Sequence, residues 1–223
     1  MCAAAEVPKQ DTLNANLYFP TVIYTVDKPE FLEAVGKIVE EALVESRKTQ
    51  SLNEVHPLYM TGNLYDKTEI LPFQFYVGQT ALNILNEQGY NLEGFEPYFS
   101  EMWAQEHYRS SGMDQHTHGA GSQIVGFYFI ECPEDCSRVM FHDPRAGKPL
   151  ISWVEKDVTQ ATFASNMINF EPKPGMLMFS NAWLPHSFSR NSSDKPMKFI
   201  HFNLGLRPAA PVFSCAPSAV EIV

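Results

Sequence analysis

Positive charge is scarce in this sequence. Its 223 residues hold 16 Lys and Arg against 26 Asp and Glu, a formal net charge of −10. A phosphate backbone selects a basic surface, so nucleic acid is excluded as the main partner, and an anionic membrane face with it. Long apolar runs are also missing: nothing approaches the roughly 18 consecutive apolar residues that cross a bilayer. The opening MCAAAEVPKQD has no basic segment followed by an apolar one and reads as no secretory signal. Cysteine is sparse. Of the four, only Cys132 and Cys136, in ECPEDC, are near neighbours. A local zinc site needs a second such pair, so these two read as reduced thiols around a turn rather than a metal loop or a disulfide. Reduced thiols fit the cytoplasm, a host's if the chain is phage-encoded.

What remains is an ordinary globular composition, 44% hydrophobic and 19% charged, with no repeats and no low-complexity block. Residues 1–16 read as a loose arm and 17–26 (LYFPTVIYTV) as a first strand. Asp27 and Pro29 are suited to start a helix. After them Phe31, Leu32, Val35, Ile38, Val39, Ala42 and Leu43 recur at helical spacing. Residues 51–70 read as loop, and 73–89 as a second amphipathic helix stopped by Gly89. The character then changes. Short apolar runs broken by Gly, Pro, Asp and Asn follow at 97–108, 115–118, 124–132, 137–141, 149–154, 161–170, 175–180, 182–189 and 197–206. Helices first and many short strands after predict one α+β domain on an antiparallel β core, with the helices on one sheet's outer face. Residues 207–223 have no assignable pattern.

The chemistry concentrates in the strand-rich part. In DQHTHGAGSQ, His116 and His118 are two apart, so on an extended chain they share a face and can share a metal. His186, in WLPHSF, comes several strands later, and a β core that folds back on itself can set it opposite the pair. Three imidazoles suit Fe, Zn, Cu or Ni and leave coordination positions open for reactants. Asp143, in FHDPRAGKP, is a further candidate ligand, although Asp-Pro is also a common turn starter. Arg145 in the same stretch can hold a carboxylate bidentately. Lys198 shares a face with Ile200, Phe202 and Leu204, where an ammonium is costly unless it meets an anion. Arg190 falls on the His186 face if that strand continues. Tyr128 is the aromatic placed to touch a bound reactant. His56, His107, His142 and His201 read as loop or packing residues.

MW at 102–103, HTHGAGSQIVGFYFIECPEDCSRVMFHDPR at 116–145, PGMLMFSNAWLPHSFSRN at 174–191 and KPMKFIHFNL at 195–204 resemble, in this order, the 2-oxoglutarate/Fe(II) oxygenases of the bacterial and tailed-phage type. The likeness covers about residues 97–206, with residues 1–96 as supporting arm, strand and helices and 207–223 as a tail. It implies a double-stranded β-helix, the jelly-roll or cupin-like scaffold, holding one Fe(II). It also implies 2-oxoglutarate and O2 as cosubstrates, succinate and CO2 as coproducts, and hydroxylation of a peptide residue or small metabolite. Under it His116 is the first metal ligand and His186 the distal one. His118 stands where a carboxylate is usual, unless Asp143 supplies that carboxylate. Lys198 stands near the basic residue that holds 2-oxoglutarate, with Arg190 and Arg145 as rivals. The family pattern has an Arg near 197–198, where this sequence has Met197 and Lys198. Two readings compete: a three-histidine cupin-like metalloenzyme that does not use 2-oxoglutarate, and a non-catalytic β-sandwich binding or structural module. A homodimer is compatible with all three.

Overall fold

The computed structural model describes residues 13–119, 121–151 and 153–209. Most of the N-terminal arm and of the C-terminal tail therefore lies outside the described residues, as do Cys2 and Cys215. Among the described residues ten strands and three helices follow in the order β1 (Ile23–Asp27), α1 (Leu32–Thr49), β2 (Leu58–Met60), α2 (Leu71–Glu87), β3 (Phe95–His107), β4 (Met113–His116), β5 (Ser122–Glu131), β6 (Val139–His142), α3 (Lys148–Ile151), β7 (Met167–Phe170), β8 (Met176–Asn181), β9 (His186–Phe188) and β10 (Met197–Pro208).

The strands form two antiparallel sheets. One has the order β1-β8-β5-β10-β3-β2 and the other β4-β9-β6-β7. From β3 onward successive strands alternate between the two sheets, except that β6 and β7 form a hairpin within the smaller one, which is the winding of a double-stranded β-helix. Each central strand of the larger sheet is buried on both faces. Its outward residues Met102, Ala104, Tyr128, Leu177, Phe179, Ile200 and Phe202 pack against Val35, Val39 and Leu43 of α1 and Phe73, Val77 and Ala81 of α2. Its inward residues Phe127, Phe129, Met178, Met197 and Phe199 meet Val139, Phe141 and Phe188 of the smaller sheet. Each such side chain contributes about 1.5–3 kcal/mol by leaving water. The period-2 alternation of β5 and β10 thus divides one strand's residues between two cores.

Two glycines are fixed by close approach. A Cβ on Gly126 of β5 would collide with the Met178 carbonyl and the Phe202 ring. Gly175, at φ +83°, turns the chain into β8 with no room for a side chain against Pro29.

Several local expectations are corrected. Asp27 ends β1 and does not cap α1; the chain enters that helix through a 3-10 turn at Pro29–Phe31 without a side-chain cap. Residues 17–22 are not strand, and 51–70 contain β2 and a second 3-10 turn. The expected strand at 149–154 is a short helix followed by irregular chain, with Leu150, Ile151, Trp153 and Val154 exposed. Pro149 lacks the N–H that a strand ladder needs, and an apolar run alone does not specify a pairing partner. Gly89 does follow α2 with φ +89°, as a helix stop.

Candidate metal centre

β4 and β9 are neighbours, and His116, the last residue of β4, is the direct partner of His186, the first of β9. His118 lies just past the end of β4. Its backbone N–H donates to the Ala182 carbonyl at 2.9 Å, which ties the short loop to the approach of β9. The three rings converge with centroid separations of 4.5, 5.1 and 5.2 Å. One nitrogen from each lies within 4.8 Å of the others; two bonds of about 2 Å reach about 4 Å at most, so the rings draw in by about an ångström when a single ion is bound.

The hydrogen bonds around the rings set their tautomers. His116 Nδ1 lies 2.7 Å from the Asp114 carbonyl and His186 Nδ1 lies 3.1 Å from the Leu184 carbonyl. A carbonyl only accepts, so each Nδ1 carries the proton and each Nε2 keeps its lone pair. The Nε2 atoms of His118 and His186 are buried and have no hydrogen-bond partner among the described residues. Such atoms are costly unless something fills the space between them. Burial pushes His118 down to about 4, helped by the neighbouring His116, and His186 down to about 3, so both are neutral at ordinary pH. Neutral, orphaned imine nitrogens facing one point are what a divalent transition metal requires, and the residues present fit iron.

The other candidates are placed elsewhere. Asp143 follows β6 and is not among the converging groups. Its side chain is 7% exposed and is paired with Arg145 at 2.6 Å and Lys148 at 3.0 Å, and the Arg145 contact above all holds its carboxyl far below the usual range. Lys198 points to the helix side of the larger sheet, away from the histidines. There it meets Glu40 at 2.8 Å and Glu131 at 2.9 Å, beside the buried Glu106. Tyr128 also faces the helices, donating to the Lys28 carbonyl at 2.7 Å and packing on Phe73. Arg190 is exposed and donates to the Ser110 carbonyl.

One neighbour of the centre escaped the sequence reading. His201, 2% exposed, stands with its ring 4.8 Å from His118 and 4.8 Å from Phe127, and its Nε2 has no partner among the described residues. The signal was its parity: it alternates with Lys198 and Ile200 and so faces the other way along β10.

Residues 101–203, from β3 through β10 and including all three histidines, match the family model described as "Putative 2OG-Fe(II) oxygenase". No curated protein matches the chain. Solved structures with the same fold include a prolyl-4-hydroxylase from Pseudomonas putida, with TM-score 0.55 and 11% identity over 83% of this chain and 93% of that one. A second is a prolyl hydroxylase from Trichoplax adhaerens in complex with a hypoxia inducible factor peptide, at TM-score 0.55 and 9% identity over 82% and 83%. A third is the epimerase SnoN in complex with Fe3+, alpha ketoglutarate and nogalamycin RO, at TM-score 0.57 and 11% identity over 90% and 88%.

Proposed function

We propose that this chain, an enzyme of the 2OG-Fe(II) oxygenase type by its family match over residues 101–203 and by its fold, binds its iron through His116, His118 and His186 and hydroxylates a small molecule or a peptide residue. The observation that carries the reading is the convergence of three imidazole nitrogens within 4.8 Å, two of the rings having a buried Nε2 without a partner among the described residues. Iron(II) with 2-oxoglutarate and O2 supplies the oxidising chemistry when bound, with succinate and CO2 as coproducts.

The chain's own residues supply position and dryness. The Asp114 and Leu184 carbonyls fix the tautomer of two of the imidazoles, which leaves their Nε2 lone pairs available to an arriving ion. Phe127 and Phe141 pack on His186 and close its side of the centre to water. Three neutral ligands leave the ion's full double charge uncompensated by protein, which favours anionic reactants at the open positions. Residues 1–96 serve as support in this reading: α1 and α2 cover the outer face of the larger sheet, and the whole chain acts as one oxygenase domain. Among the described residues no helix is long and apolar enough to cross a membrane.

The test is anaerobic titration of the full chain with Fe(II) and then 2-oxoglutarate, followed by air. A visible charge-transfer band on adding the 2-oxoacid, and succinate formed in proportion to 2-oxoglutarate consumed, support the reading. Folded protein that takes up no iron, or consumes O2 without forming succinate, overturns it.

A further inference from the structure

The inner wall of the larger sheet carries polar side chains that the metal centre leaves unused. On β10 the first inward positions, Met197 and Phe199, are apolar and pack among Phe127, Phe129 and Phe188. Further along, the same face turns polar, with His201 and then Asn203, each 2% exposed. Their direct partners on β3 are Trp103 and Glu101. The period of two puts all four on one face. The His201 ring stands 4.8 Å from His118, and Trp103 packs on His201 at 4.3 Å. This row therefore starts at the metal centre and runs away from the aromatic end to the surface, where Glu101 is exposed.

Hydrogen bonding along that row is incomplete. Asn203 Nδ2 donates to Glu101 Oε2 at 2.7 Å. Trp103 Nε1, His201 Nε2 and Asn203 Oδ1 are buried and have no partner among the described residues. Buried polar groups are ordinarily paired, so three such atoms on neighbouring side chains mark a place where a bound molecule supplies the partners. Charge narrows what that molecule is. Of the three carboxylates on β3, Glu96 is paired with Arg207 and Glu106 with Arg47. Glu101 is held by a neutral amide and, among the described residues, pairs with no cation. It keeps its full negative charge at the outer end of the row, close enough to the centre to act on His118.

We infer that the primary substrate of this centre carries a cationic nitrogen, an ammonium or guanidinium, and that Glu101, positioned by Asn203, receives it. The inference rests on the oxygenase reading above and adds to it the chemical class of the substrate. An N–H of the cation donates to Glu101, and a second reaches the unused acceptor Asn203 Oδ1. Charge-assisted bonds of this kind select against a neutral molecule of the same shape. The Trp103 indole N–H then donates to an acceptor on the same molecule, such as a carbonyl. Asn203 lies one inward step beyond His201, about 7 Å along an extended strand. The carbon presented to the metal is therefore several bonds from the charged nitrogen, and Glu101 sets specificity by touching a part of the substrate that does not react. The net charge of −10 acts in the same direction, since it draws cations to the surface.

The test uses the full chain loaded with Fe(II) and 2-oxoglutarate under argon, and two sets of probes. One set is short N-acetylated, C-amidated peptide mixtures with lysine, arginine, norleucine or glutamate fixed at the centre. The other is the same amino acids free in solution. The heat of binding ranks them, and mass spectrometry after air is admitted shows which gain an oxygen atom. Lysine or arginine probes are expected to bind roughly 10- to 100-fold more tightly than norleucine, the range for hydrogen bonds to a charged group. Preference shown by the peptides identifies a protein side chain as the substrate, and preference shown by the free amino acids a small amine; each supports the inference. Glu101→Gln should bring the cationic probes down to the norleucine level and leave norleucine unchanged. Glu93→Gln, the same charge change at an exposed position before β3, should bind every probe as wild type does. Glu101 is exposed, so its replacement leaves the core untouched, and an unchanged melting temperature confirms that. Equal binding of cationic and norleucine probes by wild type overturns the inference. So does a preference for glutamate, binding of no probe at all, or a preference for cations that survives in Glu101→Gln. Failure of iron uptake, or of the charge-transfer band with 2-oxoglutarate, marks failure of the oxygenase reading itself and takes this inference with it.

Discussion

His116 and His186 are direct partners across the β4–β9 ladder, their rings 4.5 Å apart, although seventy positions of chain separate them. The centre therefore exists only when β4 and β9 have paired, and metal binding reports on that long-range pairing. His186→Ala should lower Fe(II) affinity by more than about 100-fold, since losing even a residue that merely supports a ligand costs 10- to 100-fold. Equilibrium dialysis against ferrous iron under argon measures it. Because His186 is fully buried, circular dichroism of the variant must show the native sheet. Native structure with wild-type iron affinity would remove His186 from the centre.

The cluster on the helix side separates two cations that look alike in sequence. Arg47 makes paired contacts of 2.8 and 2.9 Å to Glu106, whose side chain is 2% exposed. Arg47→Met leaves that carboxylate without its guanidinium partner and should destabilise by roughly 3–5 kcal/mol. Lys198 meets the more exposed Glu40 and Glu131, so Lys198→Met should cost only about 1 kcal/mol. It should also leave 2-oxoglutarate binding unchanged. Urea unfolding ranks the two, and a Lys198→Met protein that loses 2-oxoglutarate with its stability intact would reinstate the strand-β10 clamp.

Which half of this was legible in sequence follows from what each signal depends on. His-x-His and a distant His are chemistry that survives without coordinates, and the three do converge. Parity along β10 correctly grouped Lys198 with Ile200, Phe202 and Leu204. It could not say which face looks inward, because both faces are apolar when helices cover one sheet. The same ambiguity put Tyr128 near the centre and left His201 among packing residues. The stretch at 149–154 misled for a different reason: apolar composition reports burial poorly when no neighbouring strand is there to accept the ladder.

Acid should weaken the metal-free protein before it reaches the carboxylate range. Burial holds His107 at about 4, against 6.5 for an ordinary imidazole. A folded-state value below the unfolded one contributes stability that is complete above pH 6.5. That stability is lost as the pH falls from 6.5 through about 4, because only the unfolded chain takes the proton readily. The full difference for His107 is roughly 3 kcal/mol at 1.36 kcal/mol per unit, and His118 and His186 act in the same direction. Urea midpoints at pH 7 and pH 4.5 should differ clearly in wild type and by less in His107→Phe. Equal slopes in the two proteins would show that His107 is not a buried neutral group.

His201 offers a test of whether the centre is held at a cost to the fold. Its ring is 2% exposed, touches His118, Phe127 and Trp103, and buries an Nε2 with no partner among the described residues. A ring of similar size with no polar atom fits the same aromatic surroundings and removes the unsatisfied nitrogen. His201→Phe should therefore stabilise the metal-free protein by about 1 kcal/mol, measured by urea unfolding at pH 7. With that gain in hand, the Fe(II) affinity of His201→Phe shows whether the imidazole serves the triad it packs against. Destabilisation by a similar or larger amount would show instead that Nε2 has a partner in solution and that the residue belongs to the scaffold.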